Sequence, residues 1–345
     1  MSEIEVGVLG ATGMVGQQFV SRLARHPWFK LTWLAASERS EGKAYKSVAP
    51  WRLASPMPAE SADRVVEACV PGRGPKVVFS GLDASVAGDI EAAFAAAGHI
   101  VVSNARNFRM DPLVPLLIPE VNADHLSLLP EQRAAKGWTG AIVTNPNCST
   151  IVLAMALAPL RLFGIRSVMV STMQAVSGAG YPGVPSLDIL GNVVPFIGGE
   201  EEKMETETLK ILGGDGGRSP YEATVSAHTN RVPVIDGHTM TVAVAFENAT
   251  PIAEVAAAIR SFAGRPQELK LPTAPQPPLI LMDEPNRPQP RLDADLGGGM
   301  AVSVGRLRAC PVLHAKFVAL GHNTVRGAAG AAILNAELMH AEGIF

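Results

Sequence analysis

The run VGVLGATGMVG at residues 6–16 constrains the fold more than any other stretch of this chain. It sets an apolar strand, a glycine turn and the start of an amphipathic helix in direct succession. Glycines at 10, 13 and 16 let the backbone turn tightly and approach a pyrophosphate, and a helix beginning near Gly13 turns its N-terminus toward that anion. The spacing departs from GxGxxG, and a glycine turn of this kind alone is a weak signal that also serves as a plain β–α connection. Its place directly after the first strand makes the dinucleotide reading the stronger one.

The pattern up to residue 144 supports a doubly wound sheet. Short apolar runs at 4–9, 31–36, 76–80, 100–103 and 141–144 alternate with helical periodicity at 14–23 and 86–97, the pattern of parallel βαβ units. The second strand ends in Ser37-Glu38-Arg39-Ser40. An acid here suits the ribose 2′-OH of NAD, and an Arg suits the 2′-phosphate of NADP. Ser37, Arg39 and Ser40 can surround a phosphate while Glu38 turns away, which favours NADP over a merely solvated loop.

After residue 147 the pattern changes. Helices are expected at 149–163, 200–212 and 251–262, and strands at 165–176, 223–234, 238–246, 300–308 and 313–320. This half reads as an α+β domain with a mostly antiparallel sheet and helices on one face. The Pro-rich stretch 265–290 reads as a long irregular connection. An alanine-rich helix at 325–339 is expected to pack back on the first domain. The domains are therefore set at 1–147, a nucleotide-binding (Rossmann) domain completed by 325–345, and 148–324, a second domain of α+β type.

Cys148, in TNPNCSTIVLAMALAPL, carries the chemistry. The thiol falls in the first turn of an apolar helix, where unpaired N–H groups and the helix dipole favour negative charge. A free thiol titrates at ~8.5, and such a setting lowers it to roughly 3.5–7.5. An inert core thiol does not need the polar turn Asn145-Pro-Asn147 before it and Ser149-Thr150 after it. Asn147 and the first helical N–H groups are candidates for an oxyanion hole. Cys69 and Cys310 read as small hydrophobes in apolar surroundings. A thiolate joined to a nicotinamide site implies aldehyde–acyl redox chemistry through a thioester.

Such a thiolate needs an imidazole partner. Of the eight histidines, His26, His99, His125 and His340 read as surface residues and His314 as a strand residue. His228, His238 and His322 stand at strand ends. Arg231 and His238 flank a Pro-Val-Ile-Asp-Gly turn that can fold them into one pocket, yet the residues alone leave His228 and His238 both open. Arg109, in the loop after a parallel strand, suits an anionic substrate. Glu200 and Lys203 share a helix face and suit either that pocket or a local ion pair.

The ordered set GATGMVG, SNARNFRMD, NPNCST, QAVSGAG, GGEEEKMETETLKIL, NRVPVIDGH and GHNTVRGAAG resembles the aspartate-β-semialdehyde dehydrogenases, nearest their archaeal and fungal branch, over essentially the whole chain. The resemblance implies NADPH-dependent reductive dephosphorylation of L-aspartyl-4-phosphate to L-aspartate-4-semialdehyde, in the route to lysine, methionine and threonine. It implies Cys148 as nucleophile, His238 rather than His228 as acid/base, and Gln174 orienting the acyl group. Arg231 would hold the α-carboxylate, Glu200 the α-amino group, and Arg109 and Lys203 the phosphate; the adjacent Glu201 and Glu202 compete for the amine. Gly10, Thr12, Gly13, Met14 and Val15 would line the pyrophosphate, Ser37, Arg39 and Ser40 the 2′-phosphate, Ser80 and Gly81 the ribose side, and Asn323 the carboxamide. Homodimers or homotetramers built on the second-domain sheet are implied.

The nearest rival is a CoA-thioester reductase such as malonyl-CoA reductase, and a more distant one a catalytically dead NADP-binding sensor. Glu200 and the phosphate residues favour the semialdehyde reading. With a net charge of −3 there is no basic footprint for nucleic acid. The three cysteines form no CxxC pair or His/Cys cluster, which argues against a metal site and a disulfide framework. The acidic opening MSEIEV does not read as a secretory signal, and the apolar run 151–160 is too short for a bilayer. A cytoplasmic enzyme is the expectation.

Overall fold

A computed structural model describes residues 3–345, so Met1 and Ser2 of the MSEIEV opening lie outside the described residues. The chain divides into two compact units. One comprises the described residues up to Leu117 together with His125–Asn145 and Ala328–Phe345; the other comprises Ile118–Asp124 and Pro146–Gly327.

The first unit holds six strands: β1 (Ile4–Leu9), β2 (Phe29–Ala36), β3 (Glu67–Ala68), β4 (Val77–Ser80), β5 (Ile100–Ser103) and β6 (Ala141–Thr144). They pair in parallel in the order β3-β2-β1-β4-β5-β6. Val6, Val8 and Leu9 are fully buried, as expected of a central parallel strand covered on both faces. The direction of winding reverses between β1 and β4, and ligands bind outside the carboxyl ends of the strands at such a switch point. The glycine turn stands there. Gly10 has φ +73, and a Cβ at Gly16 would lie 2.2 Å from the Gly10 carbonyl oxygen, so only glycine lets helix Met14–Leu23 start so close to β1.

Helix Gly330–Ala341 belongs to this unit. His26 Nε2 lies 2.7 Å from Glu337 Oε1, and the His26 Nδ1 accepts from the N–H groups of Trp28 and Phe29. The surface reading of the histidines is therefore corrected for three of them: His99 and His125 are buried, and so is the side chain of His26. Burial of His26 and His99 is matched by polar partners at both ring nitrogens. His99 is held between the Gly72 N–H and the Pro75 carbonyl.

The second unit holds β7 (Ile165–Gln174), β8 (Thr224–Arg231), β9 (His238–Phe246), β10 (Leu279–Met282), β11 (Val302–Ala309) and β12 (Ala315–Gly321). Their order is β10-β11-β12-β9-β7-β8. The sheet is mixed: β11–β12, β12–β9 and β9–β7 run antiparallel, while β10–β11 and β7–β8 run parallel. Register gathers the chemistry at one end. Gln174 pairs with Arg231, Gly321 with His238, and Met173 with Thr239, so the ends of β7, β8 and β12 meet the start of β9.

Three expectations need adjusting. The stretch 265–290 contains a helical turn, Arg265–Glu268, and the edge strand β10. The helix expected at 149–163 is α-helical over Cys148–Leu157 and tightens to a 3-10 helix over Ala158–Phe163, where Pro159 lacks an N–H to donate. The last helix begins as a π turn, Val325–Ala329, in which Ala328 leaves helical geometry.

Candidate active site

Cys148 is the first residue of a helix that is apolar on all sides: Ile151 through Leu157 are fully buried. Such a helix is a core element, and its N-terminus is the one polar part. Asn147 caps it, its Oδ1 accepting from the N–H groups of Ser149 (2.9 Å) and Thr150 (3.2 Å). The rest of Asn147 is committed as well. Its backbone N–H donates to Glu207 Oε2 at 2.7 Å and its Nδ2 to Glu200 Oε1 at 2.7 Å. Two of its donors hold carboxylates, and the residue fixes the turn that carries the thiol.

The two carboxylates come from one helix, Glu200–Leu212, seven residues apart. Glu200 also accepts from Lys203 Nζ at 3.1 Å. Its neighbours do other work. Glu201 accepts the Thr229 N–H and Glu205 the Ala227 N–H, covering the free edge of β8, and Glu202 is exposed. Of the three consecutive acids, only Glu200 faces the Cys148 turn.

His238 Nε2 lies 3.2 Å from Cys148 Sγ, and the ring is fully buried. The other ring nitrogen, Nδ1, accepts the Ala175 N–H at 3.1 Å. Burial, followed by the charge of Arg231 and then His322, pushes the imidazole down from 6.5 to about 3. Arg231 donates through Nη1 to the Ala175 carbonyl at 2.8 Å, so a single residue, Ala175, holds both side chains. A Cβ at Gly178 would lie 2.9 Å from both Arg231 Nη1 and His238 Cε1, which shows how closely the pair converges. Burial draws the guanidinium of Arg231 down, opposed by Cys148 and Glu200. Gln174 is buried in register beside Arg231, its Nε2 3.3 Å from Thr172 Oγ1. His228, by contrast, is on β8 with 82% of its side chain exposed, 4.0 Å from Glu201. The structure pairs the thiol with His238.

Asn323 is also engaged. Its Oδ1 accepts the Gly237 N–H at 2.8 Å and its Nδ2 donates to Ser177 Oγ at 2.7 Å, so it secures the turn that delivers His238. Gly327 stands behind the nucleophile, where a Cβ would come within 2.6 Å of the Cys148 Cβ. Next to it, Arg326 makes two 2.7 Å bonds to Glu120 in full burial. The sequence reading missed Ala175, Ser177, Glu207 and Gly327. Only Glu207 had a signal: it falls at helical spacing with Met204 and Ile211, both buried.

The other two thiols differ from each other. Burial pushes Cys69 up, as in an inert site. Cys310 is not in apolar surroundings: it lies between β11 and β12, accepts the Leu313 N–H at 3.4 Å, and is lowered chiefly by that bond.

In the first unit, Gly10, Thr12, Gly13, Met14 and Val15 form the turn after β1 and the first residues of helix Met14–Leu23. Gly13 is its N-cap, with no side-chain cap on the helix, and a Cβ there would meet nothing nearer than 3.5 Å. An uncapped, open helix N-terminus fits a pyrophosphate. Ser37, Glu38, Arg39 and Ser40 form a turn after β2, closed by Ser40 N–H to the Ser37 carbonyl (2.9 Å); Arg39 and Glu38 are both exposed and Ser40 is buried. Ser80 ends β4 and Gly81 follows it, next to the switch point. Arg109 is buried after β5, donating through Nη2 to the Asn104 carbonyl at 2.8 Å. Among the described residues no cluster of three or more His, Cys, Asp and Glu is placed to hold a metal ion.

Residues 5–129 match the family profile described as semialdehyde dehydrogenase, NAD binding domain, and residues 157–326 the profile described as semialdehyde dehydrogenase, dimerisation domain. The chain is 53% identical to the aspartate-semialdehyde dehydrogenase of Archaeoglobus fulgidus and 52% identical to that of Cryptococcus neoformans, each alignment covering at least 98% of both chains. Among solved structures, the Candida albicans aspartate-semialdehyde dehydrogenase with NADP superposes at TM-score 0.91 and 44% identity, covering all of both chains. The Vibrio cholerae aspartate-semialdehyde dehydrogenase II complexed with ASA superposes at 0.79 and 26%, over 99% of this chain and all of the other.

Together the fold and the two profiles define a semialdehyde dehydrogenase, an α/β oxidoreductase with a parallel nucleotide-binding sheet. Within that class the chain belongs to the aspartate-semialdehyde dehydrogenase family.

Proposed function

We propose that this protein catalyses the NADPH-dependent reductive dephosphorylation of L-aspartyl-4-phosphate to L-aspartate-4-semialdehyde. It would do so through a thioester on Cys148, in the route to lysine, methionine and threonine. The observation that carries the reading is the 3.2 Å pairing of Cys148 Sγ with His238 Nε2. Around that pair stand a buried guanidinium and a buried carboxylate, matching the two ionic ends of an amino acid.

Cys148, at a capped helix N-terminus beside Arg231, attacks the acyl carbon as a thiolate. Arg231 binds the α-carboxylate. Glu200 binds the α-ammonium, exchanging its bonds to Asn147 and Lys203 for the ligand. Lys203 is then free to meet the phosphate, and Arg109 is assigned to the same group by the family resemblance. Gln174 orients the acyl group. The residues of the first unit fit NADP: the Gly10–Val15 turn takes the pyrophosphate, Ser37, Arg39 and Ser40 the 2′-phosphate, and Ser80 and Gly81 the ribose side. Asn323, already holding Gly237 and Ser177, meets the carboxamide with its remaining N–H. Bound NADPH supplies the hydride. Residues 1–147 with 325–345 serve the cofactor, and 148–324 serve catalysis and assembly into a homodimer or homotetramer. Among the described residues no helix is long and apolar enough to cross a membrane, and we place the enzyme in the cytoplasm.

The test is an oxidative assay of the purified protein with aspartate semialdehyde, inorganic phosphate and NADP or NAD. Turnover is expected with NADP, dependent on phosphate, and lost in Cys148→Ala, which still binds NADP. Absence of turnover alongside robust NADPH oxidation by malonyl-CoA would replace this reading with the CoA-thioester reductase.

A further inference from the structure

We infer that Tyr45 is a positioning residue for the cofactor pyrophosphate: from the buried side of the glycine turn, its phenol pins the Ala11–Thr12 peptide so that the Thr12 N–H faces the anion. The inference rests on the placing of NADP at the Gly10–Val15 turn under the proposed function, and it adds the side chain that sets that turn.

The turn closes with the Gly13 N–H donating to the Gly10 carbonyl at 3.1 Å, which makes Ala11–Thr12 its middle peptide. That peptide is the soft element of a β-turn, since types I and II differ chiefly by turning it over. Turned one way it offers an N–H to a ligand. Turned the other way it offers a carbonyl oxygen, which repels an anion. A β-branched residue such as Thr12 resists the positive φ that type II asks of its third position. It does not aim the plane.

Tyr45 does. Its hydroxyl donates to the Ala11 carbonyl oxygen at 2.8 Å, and both residues are fully buried. A carbonyl can only accept, and burial pushes the phenol up, so the O–H keeps its proton. In a trans peptide the C=O and the N–H of the next residue point in opposite directions. With the Ala11 carbonyl held inward, the Thr12 N–H is held outward, where Thr12, Gly13, Met14 and Val15 are all at least partly open. Among the described residues that N–H has no backbone acceptor. A bond received at the carbonyl also polarises the peptide and makes its N–H the better donor.

The next peptide is fixed in the same manner. Gln17 Nε2 donates to the Thr12 carbonyl at 3.0 Å and to the Pro50 carbonyl at 3.2 Å, while its Oε1 accepts the Arg52 N–H at 2.8 Å. Tyr45, Pro50 and Arg52 belong to one strap, 43–52, that follows the Ser37–Ser40 turn. Lys43 ties the strap back to that turn, its N–H donating to the Ser40 carbonyl at 3.4 Å and its Nζ to the Arg39 carbonyl at 2.7 Å. The strap thus reaches both cofactor turns, whereas the Tyr45 hydroxyl acts on the pyrophosphate turn alone.

Calorimetric titration of the cofactor-free protein tests the inference. The ligands are NADP, NAD and adenosine 2′-monophosphate, which carries the 2′-phosphate but no pyrophosphate. Tyr45→Phe keeps the ring that meets Trp51 edge-on at 6.4 Å and removes only the O–H. It is expected to weaken NADP and NAD alike by roughly five- to tenfold, the worth of one hydrogen bond, and to leave adenosine 2′-monophosphate within about twofold of the parent. Trp51→Phe, which alters the packing of the strap without touching either turn, should bind all three ligands as the parent does. Unchanged NADP affinity in Tyr45→Phe overturns the inference. So does an equal loss for adenosine 2′-monophosphate, or an equal loss of NADP in Trp51→Phe, because either traces the effect to a loosened strap. Any of these results with a parent that binds NADP leaves the proposed cofactor site standing. A parent that binds no NADP strikes that site, and this inference with it.

Discussion

At the scale of single residues, His238 links chemistry to stability. Its ring is held near 3 in the folded protein against an ordinary 6.5, chiefly by burial. Between those values the unfolded chain binds a proton that the folded one refuses, so stability falls as pH falls from 6.5 toward 3. The slope is at most ~1.4 kcal/mol per pH unit. Relative to His238→Gln, the parent should therefore lose about 2 kcal/mol more stability between pH 7 and pH 5. Urea unfolding at the two pH values checks this, and parallel losses in both proteins would show that the ring accepts its proton in the fold. Cys148 was legible in the sequence because a polar turn before an apolar helix has few other uses. The choice of histidine was not. His228 and His238 both stand at strand ends, and only strand parity separates them: His228 points to the open face of β8, while His238 begins β9 among its buried positions. The two carboxylates that hold Asn147 were not legible either, since they lie 53 and 60 residues away.

At the scale of elements, helix Glu200–Leu212 works as a rail for the nucleophile. It holds Asn147 at two points and covers the edge of β8 at two more, through Glu201 and Glu205. Glu207→Ala would leave the buried Asn147 N–H without its acceptor, at a cost of roughly 1–3 kcal/mol. The variant should also slow the enzyme by loosening the Cys148 turn. Glu207→Gln keeps an acceptor oxygen and should recover most of both losses. Denaturant midpoints and kcat for the two variants decide it: equal damage by Ala and Gln would mean that the carboxylate charge, rather than the bond to Asn147, is what matters. Periodicity made this helix and most strands legible, because each has one buried face or two. Among the elements that escaped, β10 is four residues long, follows two prolines and pairs on one side only. So short an edge strand presents no period to read.

At the scale of the whole molecule, the second sheet has one face that its own unit does not bury. Along β7 the even positions Val168, Val170, Thr172 and Gln174 are buried, while Ser167, Met169, Ser171 and Met173 are at least partly open. On β8 the side chains of Thr224, Ser226 and His228 are exposed in the same alternation, and β9 opens at Thr241. Met169 stands near the middle of this face, 56% exposed, on a strand flanked by β8 and β9. Small and uncharged side chains dominate it, so a second copy can approach without desolvating many charges. This is the region matched by the dimerisation profile. Met169→Glu would put one carboxylate into each half of a symmetric contact, where it meets its own copy or an apolar surface. The variant is expected to sediment as a smaller species than the parent at the same concentration, with an unchanged far-UV spectrum. Met169→Leu, which keeps volume and polarity, should assemble like the parent. If the Glu variant retains the parent's mass by sedimentation equilibrium across a hundredfold dilution, the face through which the protein self-associates is not this one.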